Sequence, residues 1–198
     1  MTTRSSYLIN GLILAVFMML LAPLGQARRV DSVTVPNHLT LGHARLVLNG
    51  AGVRYYAIFF SVYVGALYLE HPTHQAAVAL SESGPSRVAM YFLRGVTASQ
   101  LRSAWREGFR RNNALAIRKQ LGPEIQSFIH LWHPLKDHTQ VFLDYLPKQG
   151  PRVSVTRVSI NGHLAGIFPG SAFHEALLRI WLGPHPPTHA LKRRMLGH

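Results

Sequence analysis

The 198 residues suffice for one domain with a full hydrophobic core, and a composition of 47% hydrophobic against 15% charged residues excludes a disordered chain. The absence of cysteine excludes a disulfide framework, a thiolate nucleophile and a zinc–thiolate site. A formal net charge of +13, from 21 Lys and Arg against 8 Asp and Glu, favours anionic partners such as membrane headgroups or anionic polymers.

Arg4 precedes an uncharged stretch from Ser5 to Ala27 whose apolar centre runs from Leu12 to Leu24. Pro23, Gly25 and Ala27 then supply a helix breaker and the small residues of a cleavage site. This pattern predicts a secretory signal peptide over residues 1–27, followed by a single mature domain over 28–198 in the periplasm or outside the cell. The alternative is an uncleaved inner-membrane anchor, because the stretch is nearly long enough to span a bilayer. Loss of the leader removes only Arg4 from the charged residues, so the mature domain stays strongly basic. For an exported domain of this charge an anionic membrane surface is a fitting contact, and no nucleic-acid partner is expected.

Along the mature chain, Arg28 to Asn37 alternates like one short edge strand stopped by Pro36, and Leu39 to Leu48 reads as another. Two glycines, Gly50 and Gly52, suggest a tight turn or a close approach to a ligand. Strands follow through Val53 to Leu69, with a hairpin turn whose position the sequence leaves open. No charge occurs from Tyr55 to Leu69, which predicts that both faces of this strand pair are covered. Thr73 can cap a short helix from His74 to about Leu80, and Ser86 to Val96 alternates as a long strand. Thr97 and Gln100 form a capping box that opens a helix of roughly twenty residues. Leu101, Trp105, Gly108 and Asn112 share one side of it, while Arg102, Arg106 and Arg110 share a side read as solvated. Gly122 is expected to end that helix and Pro123 to begin the next, whose apolar face holds Ile125, Phe128, Ile129 and Trp132. Strands return at Val141 to Tyr145 and Arg152 to Ile160, and Asn161-Gly162 is a strong hairpin signal leading into His163 to Phe168. Ser171 is expected to cap a helix carrying Phe173, Ala176, Leu177, Ile180 and Trp181, and Thr188 a last short basic helix. Strands, then helices, then strands, then helices predict an α+β fold with helices packed on one face of an antiparallel sheet.

The residue types exclude several chemistries. His71 and His74, like His130 and His133, are three apart, but no carboxylate is spaced to complete a metal site, and none is expected. The eight acidic residues are scattered, with no sign of a glycosidase pair. A Gly-x-Ser-x-Gly elbow and a phosphate-cradling loop are both missing, and no cofactor is implied. Arg54 stands out, a cation at the mouth of the uncharged run. Either it snorkels from a strand end or pairs with an acid brought in by the fold, Glu70 or Glu107, or it faces an apolar cavity and holds an anion there.

The run Gly50-Ala51-Gly52-Val53-Arg54, the hydrophobic hairpin ending in Tyr68-Leu69-Glu70, Phe92-Leu93-Arg94, the helix carrying Trp105 and the closing Trp181-Leu182-Gly183 occur together in order. In this respect the chain resembles the chalcone isomerase-like family, and its bacterial secreted branch most of all, over roughly residues 40 to 196. The resemblance implies an open-faced β-sandwich, a large antiparallel sheet with a layer of α-helices on one face. It also maps Arg54 onto the arginine that stabilises developing negative charge in the plant enzymes. At the other polar positions the chain departs from the enzymes. Tyr63 stands where they carry a threonine, Leu101 where they carry a tyrosine, and Gly108 where they carry an asparagine. The pocket so implied is apolar with one arginine, ringed by Tyr63, Leu101, Trp105 and Gly108, as in family members that bind fatty acids. Non-catalytic binding of an apolar carboxylate is therefore the leading expectation. A chalcone isomerase-type intramolecular lyase using Arg54 is the first alternative. The second is an envelope interaction protein whose pocket is vestigial.

Overall fold

The computed structural model describes residues 27–57 and 59–198; the signal-peptide expectation thus falls, but for Ala27, outside the described residues. Within the described residues nine strands form two antiparallel sheets. A hairpin of β1 (Ala27–Val30) and β2 (Val33–Pro36) stands apart from a seven-stranded sheet ordered β3 (His38–Leu41), β4 (Ala44–Tyr56), β5 (Phe60–Leu69), β6 (Ser86–Phe92), β7 (Gln140–Leu146), β8 (Val155–Ile160) and β9 (His163–Pro169). Six helices of the described residues accompany them: α1 (Ala76–Ser81), α2 (Ala98–Asn112), α3 (Leu115–Gln120), α4 (Gly122–His130), α5 (Ser171–Leu182) and α6 (His189–Met195). The architecture is the α+β arrangement expected, with α-helices on one face of a large antiparallel sheet.

Period-two alternation sorts the central strands into two cores. Leu67 and Leu69 of β5 and Val88, Met90 and Phe92 of β6 join the helices in the larger core. Val64, Ala66 and Tyr68 of β5 and Ala89 of β6 point the other way, into a smaller core shared with Val35 of β2. The Tyr68 hydroxyl donates to the Pro36 carbonyl at 2.9 Å, fastening the hairpin to that face. Both faces of β5 from Tyr63 onward are therefore covered, which explains the uncharged run. Its other end is not covered: Tyr55, Tyr56, Phe59 and Phe60 are exposed at the β4–β5 tip.

Several boundaries differ from the sequence reading, each for a local reason. The first expected strand is a hairpin, because Asp31 takes a positive φ of 56° and its carboxylate accepts the Ser32 N–H. The second splits at Gly42, φ 63°, into β3 and β4. Gly50 and Gly52 make no turn but lie inside the thirteen-residue β4. Helix α1 starts later than expected, with Thr73 accepting the Gln75 N–H ahead of it. The long strand ends at Phe92, and β8 begins only at Val155. The capping box at Thr97 and Gln100 forms as read, but its helix stops at Asn112. There Asn112 Nδ2 donates to the Gly108 and His185 carbonyls and Asn113 Nδ2 to those of Phe109 and Ala176, so side-chain amides take over carbonyls at the helix end. Gly122 opens α4 rather than ending its predecessor, with Pro123 in the first turn. Gly170, not Ser171, is the N-cap of α5.

Candidate functional site: an apolar cavity beside Arg54

Three glycines decide where the site begins. Gly50 and Gly52 on β4 and Gly65, which is paired with Gly52 on β5, form a smooth track on the helix-facing side of the sheet. Helix α6 lies along that track: a Cβ at Gly50 would meet the Gly197 N at 2.8 Å and the Met195 carbonyl at 3.0 Å, and one at Gly52 would meet the Arg194 Cβ at 2.5 Å. The close approach these glycines permit is therefore to a helix of the chain itself, not to a ligand. Asn49 locks the contact, donating to the Met195 carbonyl at 2.8 Å and accepting the Thr73 N–H at 2.6 Å.

Arg54 is two residues beyond Gly52 on the same face and directly opposite Tyr63. The pairing then slips: Arg54 faces Tyr63 but Tyr55 faces Ser61, leaving Val62 as a bulged residue. The bulge moves Phe60, in register with Tyr56, onto the side that would otherwise carry Ser61. A one-residue bulge leaves no mark in the hydrophobic pattern of an all-apolar run, so the register there was not readable from sequence.

Beyond the end of α6 the sheet and helices enclose a cavity of about 850 Å³. Arg54, Tyr63, Leu101, Trp105 and Gly108, the five residues singled out from the sequence, all line it. Tyr63, Leu101 and Trp105 are buried, and Met90, Phe92 and Trp181 complete an apolar floor. Trp105 is held by an aromatic cluster, with ring centroids 5.0 Å from Phe128, 5.1 Å from Trp132 and 5.6 Å from Trp181. Gly108 lets α2 close on α5, since a Cβ there would meet Ile180 Cγ2 at 2.8 Å. An asparagine at this position would not fit without moving Ile180.

The cavity surface is mostly apolar, but the expectation of a single arginine is not met: Arg94 and Arg111 line it together with Arg54, along with Glu107, Gln100 and His185. Arg54 is partly buried, and its Nη1 donates to the Tyr55 carbonyl at 2.9 Å. Among the described residues no carboxylate lies within ion-pair distance of it. Glu107 lines the cavity but is engaged by Arg110 at 2.6 Å and Arg111 at 3.8 Å, and the hydrogen bond from Arg110 holds its carboxyl below the usual carboxylate range. Glu70 sits beside Gly84 instead. The pairing of Arg54 with either acid is thus not found. Burial pushes the Tyr63 phenol up to about 12, against the opposing charge of Arg54 and the hydrogen bond from Trp181. Trp181 Nε1 donates to the Tyr63 oxygen at 3.0 Å, which leaves the Tyr63 O–H proton free to donate onward.

Sequence reasoning did not place Arg94, Trp181 or His185 at the site, yet all three line the cavity. The first two were within reach, for they close the Phe92-Leu93-Arg94 and open the Trp181-Leu182-Gly183 segments that carry the family resemblance.

A model of the chalcone isomerase-like family matches residues 27–197. The chain belongs to the chalcone isomerase-like family. The crystal structure of an Arabidopsis thaliana fatty-acid binding protein has the same fold, with a TM-score of 0.64 at 14% identity, covering 86% of this chain and 96% of that one. No curated protein matches.

Proposed function

We propose that this protein binds an apolar carboxylate such as a fatty acid, without catalytic turnover, and does so as an exported protein. The observation that carries the reading is Arg54: a guanidinium facing an apolar cavity with no carboxylate of the described chain to neutralise it. A bound carboxylate supplies the missing charge and accepts from the planar fork of Arg54, and the free O–H of Tyr63 opposite adds a second donor. The apolar floor of Met90, Phe92, Leu101, Trp105 and Trp181 then receives the acyl chain. The volume of about 850 Å³ falls among small-ligand sites, which span roughly 300–1,000 Å³. The Arabidopsis protein that shares the fold is named as a fatty-acid binding protein, which supports the same class of ligand. An open cavity of this size speaks against the vestigial-pocket alternative.

Titration of the wild type with a long-chain fatty acid tests the reading. Arg54→Ala should weaken binding by about 1.5–3 kcal/mol, the range for a charge-assisted contact. Arg54→Lys should recover only part, because lysine lacks the planar fork. Equal affinity across all three proteins would remove Arg54 as the anchor. The isomerase alternative makes a different demand, since cyclisation needs donors to the substrate oxygens that Leu101 and Gly108 do not provide. Consumption of chalcone well above the buffer rate, abolished by Arg54→Ala, would replace the binding reading with the enzymatic one.

A further inference from the structure

The uncovered tip of the β4–β5 hairpin is at odds with the rest of the molecule. Tyr56 is 68% exposed and Phe59 83%, with Tyr55 and Phe60 also open to solvent, so one hairpin tip presents four exposed aromatic side chains. Cations border the same patch: Arg94 holds its guanidinium 5.3 Å from the centroid of the Phe60 ring, and Arg54 and Arg111 stand on the cavity wall beside it. Neither Arg54 nor Arg94 has a carboxylate partner among the described residues. Tyr56, Phe60 and Arg94 belong at once to this patch and to the lining of the cavity. The aromatic tip thus adjoins the cavity.

We propose that this tip is a membrane-docking surface, which inserts its aromatic rings into the headgroup region of a bilayer while its arginines meet anionic lipid phosphates. Aromatic side chains favour the membrane–water interface, and each Arg near an anionic surface strengthens binding roughly fivefold. A protein groove would suit the rings but not the unpaired arginines, whereas an anionic leaflet suits both, and the strong positive charge of the whole chain acts in the same direction. Docking in this orientation sets the cavity beside the lipid, so an acyl chain passes from bilayer to cavity without crossing water. That last consequence rests on the fatty-acid reading of the cavity; the docking does not.

Co-sedimentation with vesicles tests it, using the chain from Arg28 onward and vesicles of phosphatidylcholine with and without phosphatidylglycerol. The wild type should bind the phosphatidylglycerol vesicles and lose binding as salt is raised. Tyr55→Ser/Phe59→Ser, which replaces no cavity-lining side chain and keeps the Tyr55 carbonyl that Arg54 holds, should reduce partitioning roughly tenfold or more. Arg94→Gln should reduce it roughly fivefold. In Phe59→Trp the introduced indole should shift its emission to the blue on vesicle addition, beyond any change the wild type shows from its buried Trp105, Trp132 and Trp181. The proposal is overturned if the double serine variant, folded by circular dichroism, sediments like the wild type, if the emission of the Phe59→Trp protein does not move, or if phosphatidylcholine alone binds as well. Fatty-acid titration of the same double variant separates the two ideas: retained affinity with lost vesicle binding supports docking. A wild type that binds fatty acid but no vesicle overturns docking and leaves the cavity reading intact.

Discussion

His174 shows how one buried side chain couples this fold to pH. Helix α5 places it against the sheet, where its ring stacks on Tyr145 at 4.0 Å and 9° between planes, with the Ser86 hydroxyl 3.2 Å from Nε2. No carboxylate pairs with it among the described residues, so nothing offsets the loss of solvation, and burial pushes its pKa down from 6.5 to about 3. The unfolded chain therefore takes up a proton below pH 6.5 that the folded chain refuses until about pH 3. Its contribution to stability is complete above pH 6.5 and lost progressively as pH falls through that window. The melting temperature of the wild type should drop between these limits, and His174→Gln should flatten the slope even if it lowers the absolute value. An unchanged slope in the variant would assign the acid sensitivity to other groups. Arg54 was conspicuous in the sequence as a charge beside an apolar run, but His174 was one of twelve histidines and carried no distinguishing mark. Its environment is made by residues 86 and 145, far away along the chain.

Among the elements, the seat of α6 on the glycine track is the contact least tolerant of change. Gly50→Ala drives a methyl group into the backbone at Arg194, Met195 and Gly197, which has no rotamer by which to yield. We expect a loss of about 1–3 kcal/mol in urea unfolding, within the usual range for overpacking or somewhat above it. Gly122→Ala, where nothing lies within 4 Å of the added carbon, serves as the control and should be near neutral. A silent Gly50→Ala would mean that α6 is not held against β4. Elements with short-range signals were legible in the sequence: the Thr97–Gln100 capping box, the Thr188 cap that accepts the Leu191 N–H, and the Asn161-Gly162 turn, whose φ values of 50° and 81° are both positive. Elements shaped by distant partners were not. The end of α2 depends on Asn112 reaching His185 and Asn113 reaching Ala176, and no local pattern announces those bonds.

For the molecule as a whole, the expected export has a direct test. Intact-mass measurement on protein recovered from the cell envelope should give a chain beginning at Arg28, and retention of Met1 would favour the membrane anchor. What the sequence determined by itself is the class of fold, one domain of helices against an antiparallel sheet, and the family, because periodicity, caps and ordered motifs are local properties that survive without coordinates. It also drew attention to Arg54, Tyr63, Leu101, Trp105 and Gly108, which line one cavity. Only the tertiary structure decided that Gly50 and Gly52 receive a helix instead of a ligand, that no carboxylate of the described residues pairs with Arg54, and that four aromatic side chains stay exposed at the β4–β5 tip. Each of these depends on which residues meet across more than a strand's length of chain. Burial, pairing and cavity shape are properties of such meetings, and a pattern of two or 3.6 residues does not encode them.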